Sequence, residues 1–139
     1  MATAPKAAAR KRRAPRSAAN ANRGENTLVL GGTAYVLRPS YAAITTIEEQ
    51  LGRSSIELLR AANGMALSYE DQGVIVAELV RAGAAKDDEF TRNVSAERMG
   101  ELIFEEGSAP AFVAITVALA SAVGGGRTAA GEAKPVTKA

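Results

Sequence analysis

The sequence predicts a mainly α fold, a small bundle of about five short helices preceded by an N-terminal β-hairpin and carrying basic tails. Three observations predict it. Two β-prone runs, Leu28-Val29-Leu30 and Tyr35-Val36-Leu37, flank Gly31-Gly32, a pair that accepts the positive φ angles of a tight turn. Ser40, Ser54, Ser68, Ser95 and Ser108 each stand ahead of a stretch whose apolar residues recur at helical spacing. Large apolar residues are nearly absent from both ends of the chain, so ordering those ends would cost entropy without burial to offset it. The expected organisation is a disordered basic tail over 1–24, a helical domain with its hairpin over 25–124, and a flexible C-terminal tail over 125–139.

Arg38-Pro39-Ser40 closes the hairpin. Pro39 holds its predecessor extended and cannot donate to a ladder, while Ser40 accepts a hydrogen bond from the free N–H groups of the next helix. That helix runs to Leu51, with Tyr41, Ile44, Ile47 and Leu51 as its apolar stripe and Gly52 as its stop. Ser54 and Glu57 form a capping box for a second helix carrying Ile56, Leu58 and Leu59 and ending at Asn63-Gly64. Ser68 with Asp71 opens a third, rich in Val and Leu and stopping at Gly83; Gly73 near its start is a mild weakness on propensity. Residues 84–93 form a polar link that Phe90 pins to the core. A fourth helix, Ser95 to Glu106, turns Met99, Leu102 and Ile103 inward and puts Phe104 on a second face. Pro110 lies in the first turn of a fifth, where its missing N–H was unpaired anyway. Phe112, Ile115, Leu119 and Val123 line one side of that helix and Val113, Val117 and Ala120 another. With no polar face, it is either the central helix of the bundle or has one side left for a partner.

Charge is divided unequally. Residues 1–24 carry +7, residues 25–123 carry −7 and the remainder +2, so a formal net charge of +2 conceals an acidic domain between basic ends. The cluster Arg10, Lys11, Arg12, Arg13 and Arg16 suits nucleic acid or another polyanion, but no aromatic is interleaved to stack on bases, and a solubilising tail is the favoured reading. The chain has no Cys and no His, which excludes thiolate catalysis, Ser-His-Asp triads and the commonest metal ligand. The longest apolar run, Pro110 to Val123, spans about 21 Å as a helix, short of a hydrocarbon core of about 30 Å. No membrane role is therefore expected, and the composition fits the cytoplasm.

Nothing in the chain argues for catalysis. Gly31-Gly32 lacks the Lys-Ser/Thr of a phosphate loop and the third glycine of a dinucleotide site. Glu48-Glu49 and Glu105-Glu106 are helix neighbours that point apart, and are expected to be surface charge. Asp87-Asp88-Glu89 lacks the alternating oxygens and glycine of a calcium loop. No catalytic residue, metal ligand or cofactor site is assigned, and the chain is expected not to be an enzyme.

The stretch GGTAYVLRPSYAAITTIEEQLGRS resembles the small proteins of gene transfer agents and tailed-phage tail modules, on Gly31, Gly32, Tyr35, Leu37, Arg38, Pro39, Ser40, Tyr41, Ile44, Ile47 and Glu48. The similarity runs over about residues 26–124 and leaves the basic N-terminal tail unexplained. The resemblance implies a tail assembly chaperone that holds the tape-measure protein soluble while tail-tube subunits polymerise around it. On that reading the partners are the tape-measure protein, with tail-tube protein and self-association as further ones, and nucleic acid is not favoured. The expected contact residues are Phe104, Phe112, Ile115, Leu119 and Val123, while Gly31, Gly32, Tyr35, Arg38, Pro39, Ser40, Tyr41 and Glu48 are structural. The alternatives are a minor structural component of the tail and a nucleic-acid accessory protein acting through Arg10 to Arg16.

Overall fold

The structure, a computed structural model, describes residues 18–135. Strands β1 (Asn26–Leu30) and β2 (Thr33–Leu37) pair antiparallel, with Leu30 opposite Thr33 and Asn26 opposite Leu37. Gly31 and Gly32 make the two-residue turn with φ of 60° and 80°, the left-handed values that a twist-matched hairpin requires. Six helices follow among the described residues: α1 (Tyr41–Leu51), α2 (Ser55–Asn63), α3 (Tyr69–Gly83), α4 (Glu89–Arg92), α5 (Ala96–Glu106) and α6 (Ala109–Val123).

Four of the five serines cap as their spacing predicts. Ser40, Ser54, Ser68 and Ser95 accept from the amides of Ala43, Glu57, Asp71 and Arg98, and the Glu57 carboxylate returns the bond to the Ser54 amide. Ser108 makes no such bond, and α6 starts on the Pro110 geometry alone. The sixth helix lies in the acidic link. Asp88 accepts from the amide and hydroxyl of Thr91 and closes one turn, α4, where an irregular connection was expected.

The bundle is centred on α3 rather than on the apolar last helix. It packs against β2, α1, α4, α5 and α6, and buries Ile75, Val76, Ala77, Leu79 and Val80. Gly73 is no weakness there. A Cβ at Gly73 would collide with the Ala96 carbonyl oxygen and stand 2.9 Å from the Gly100 nitrogen, so its absence lets α3 and α5 touch backbone to backbone. Gly83, expected as a stop, is the last residue of α3 and lies as tightly on the Val36 carbonyl of β2. That contact, with the Arg38 amide donating to the Leu79 carbonyl, covers Val36, while Tyr35 on the opposite side of the strand is buried near Met99 and Leu102 of α5, so the one-sided alternation expected of an exposed hairpin is absent.

Both segments flanking the expected domain hold contacts. Asn20 caps a turn at Ala21–Arg23, and the Asn22 carbonyl accepts from Arg127 and from the Ala133 amide. Residues 125–135 run back over the hairpin–helix junction: the Ala129 carbonyl accepts from the Tyr41 amide and the Ala130 carbonyl from Arg38. Residues 125–135 thus form a strap where a free tail was expected.

Candidate functional site

Arg38 and Glu48 of the hairpin-junction motif have side-chain partners, and Ser40 caps α1. Arg38 bonds Ala130 and approaches Glu25, a carboxylate whose side chain is 4% exposed and which also pairs with Arg23 at 3.2 Å and accepts the Asn20 amide at 2.8 Å. The Glu48 carboxylate accepts the Ser55 amide and ties the end of α1 to the start of α2. Glu106 likewise accepts the Gly31 amide at 2.6 Å, fixing the hairpin tip to α5. One glutamate of each sequence pair is therefore a structural link, a correction to their reading as plain surface charge. Tyr41 leaves the apolar stripe assigned to it, 67% exposed, because its amide rather than its ring carries the attachment to the strap.

Among the described residues, two open apolar surfaces bear on the expected partner contact. The first is the outward face of α6. Phe112, Ile115 and Leu119, expected at a partner contact, are buried against α2, α3 and β1 and offer no surface; Ala111, Ala114 and Ala118 are buried with them. The exposed side instead presents Val113, Val117, Ala120 and Val123, and no charged residue occurs between Ala109 and Val123. Val123 alone of the four α6 residues expected there stays at the surface.

The second is an open groove of about 910 Å³ between the N-terminal half of α3 and the outer face of α5. Its apolar lining is Tyr69, Val74, Ala96, Gly100 and Phe104; the two rings meet edge to face at 5.2 Å. Phe104, 67% exposed, is the expected contact residue that the structure places at an open surface on a second helix. Glu70, Glu97, Glu101 and Glu105 line it as well. Arg98 donates to Glu101 at 3.0 Å and stands 3.7 Å from Glu105, and the hydrogen bond to Glu101 is the main cause raising its pKa above the ordinary guanidinium value. Tyr69 carried no sequence signal, because its role depends on α5 lying beside it. Phe90, expected to pin the link, is 62% exposed and lines a separate recess with the hairpin tip and α5.

Among the described residues no group of three or more acidic side chains is placed to hold a metal ion, and no helix is long and apolar enough to cross a membrane. The basic residues Arg10, Lys11, Arg12, Arg13 and Arg16 lie outside the described residues. The sequence profile of one protein family, described as phage tail tube protein, GTA-gp10, matches residues 23–126. No curated protein and no solved structure matches the chain. The matched region ends before most of the strap that covers the motif Arg38-Pro39-Ser40.

Proposed function

The chain belongs to the phage tail tube protein, GTA-gp10, family, and from that premise we propose that this tail-module protein is a non-enzymatic assembly chaperone, acting in the bacterial cytoplasm. Its ligand on this reading is an apolar helical segment of a tape-measure protein, held until tail-tube subunits polymerise around it. The observation that supports the reading is the uncharged outward face of α6, Val113, Val117, Ala120 and Val123. A stripe at helical spacing, rigidly backed by the core, is what an amphipathic or apolar helix packs against.

Co-expression with the tape-measure protein tests this. The wild-type chain is expected to raise that protein's soluble fraction, and Val113→Glu with Val117→Glu to abolish the gain while leaving this chain folded by circular dichroism. Equal solubility with and without the chain overturns the proposal. A structural role in the tail is the second reading, favoured by the family's own description. Only two strands occur among the described residues, however, whereas a tube ring is expected to be built from β-sheet. Mass spectrometry of purified particles separates the two: a tube component is present in many copies and a chaperone is absent.

A further inference from the structure

The groove between α3 and α5 differs from the α6 face in chemistry. Two of the chain's six Phe and Tyr rings, Tyr69 and Phe104, stand exposed in it, and the charged side chains lining it are all glutamates. Helix spacing orders them. On α5, Ala96, Gly100 and Phe104 recur at every fourth residue and form one row, and Glu97, Glu101 and Glu105 form the row beside it. On α3, Glu70 follows Tyr69 in the same way. Carboxylates four residues apart on a helix repel one another, and Arg98 relieves this at Glu101 and Glu105, 3.0 and 3.7 Å away. Among the described residues no cation pairs with Glu70 or Glu97.

Charge complementarity selects the ligand. An uncharged apolar helix would take water from these carboxylates without replacing it, and a nucleic acid or other polyanion would be repelled. The folded part of a second copy is poorly matched too, because residues 25–123 carry −7. Arginine answers both features of the groove, since its guanidinium stacks on an aromatic face and its N–H fork pairs with carboxylate. At 1.5 Å per residue the α5 side of the groove, Ala96 to Glu105, runs for about 14 Å, about two and a half turns of a helix laid along it. A helix with one apolar stripe covers the exposed rings with that stripe and sends basic side chains from its flanks to the carboxylates.

We propose that the α3–α5 groove is a docking site for a basic amphipathic helix of another protein, its apolar stripe seated on Tyr69, Gly100 and Phe104 and its arginines paired with Glu70 and Glu97. The groove shares no residue with the outward face of α6. The two surfaces therefore select different ligands, and the groove contact stands whether or not the α6 face binds a tape-measure segment.

A synthetic peptide of about sixteen residues, with leucine at helical spacing along one side and arginine on both flanks, tests this by titration into the isotope-labelled full-length chain. Amide signals of Tyr69, Val74, Glu97, Gly100 and Phe104 are expected to shift as it binds, and those of Val113 and Val117 to stay. Affinity is expected to fall by about tenfold or more between about 0.02 M and about 0.5 M salt, where the screening length shrinks to a few ångströms. Changing the peptide's arginines to glutamine, or scrambling its order so that the leucine stripe is lost, is expected to weaken binding by about tenfold. On the protein side, Phe104→Ala, and Glu70→Gln with Glu97→Gln, all at exposed positions, are expected to weaken it as much while the rest of the amide spectrum stays unchanged. Equal affinity for the glutamine or the scrambled peptide, or shifts spread evenly over the acidic surface, overturns the proposal. Groove signals that move with protein concentration before any peptide is added assign the groove to a second copy. Binding that appears only in the Arg10→Glu, Arg12→Glu, Arg13→Glu and Arg16→Glu chain assigns it to the protein's own N-terminal segment, and either result overturns docking of another protein.

Discussion

At the scale of single residues, the clearest departures from local propensity are glycines. Gly73 sits inside a helix, where alanine is favoured by about 1 kcal/mol, yet a Cβ there would run into Ala96 and Gly100. Overpacking of a tight contact costs about 1–3 kcal/mol, and against rigid backbone atoms the upper part of that range exceeds the propensity gain. Gly73→Ala is therefore expected to lower the unfolding free energy by up to about 2 kcal/mol in urea melts, with α3–α5 contacts loosened. Sequence reasoning saw only the propensity because the opposing atoms belong to a helix more than twenty residues away. Glu25 illustrates the same blindness. Its carboxylate is buried among Arg23, Arg38 and the Asn20 amide, and no local pattern marks an acid at a strand's edge as an attachment point.

At the scale of elements, start and stop signals were legible and faces were not. Ser40, Ser54, Ser68 and Ser95 cap through bonds to amides three residues ahead, so the information for a boundary lies within one turn. The orientation of α6 had no such local source. Apolar residues surround it, and only the positions of α2, α3 and β1 decide that Ile115 and Leu119 point inward and Val113 and Val117 outward. Ile115→Ala is accordingly expected to cost about 2–5 kcal/mol of stability. Val113→Ala is expected to change it by no more than about 0.5 kcal/mol, because that side chain is 65% exposed. Comparable losses at the two positions would reverse the assignment of faces.

At the scale of the molecule, the ends of the described chain close on each other. Arg127 donates to the carbonyls of Asn22, Ser121 and Gly131, joining the N-terminal turn, the end of α6 and the strap. The strap in turn supplies the Ala129 carbonyl to the first amide of α1, a donor that a helix start otherwise leaves to water. Arg127→Ala is expected to speed hydrogen exchange at the Tyr41 and Ala133 amides by at least about tenfold, the effect of losing roughly 1.4 kcal/mol locally, with little change in global melting. Unchanged exchange at Tyr41 would mean that the strap holds without its arginine. The expected domain limits at 24 and 125 followed composition, which reports how little a segment can bury. It does not report backbone hydrogen bonds, and those are what fasten residues 125–135.

The hairpin turn, the proline stop, four of the five serine caps, the number of long helices and the acidic character of the folded part were all determined by the sequence alone, because each depends on residues within a turn of one another or on simple counts. The burial of Phe112, Ile115 and Leu119, the meeting of Tyr69 with Phe104, the contact of Gly73 with α5, and the fastening of the strap over Arg38 needed the folded chain. Each joins atoms far apart in sequence, and a helix without a polar face carries no internal record of which side its neighbours will cover.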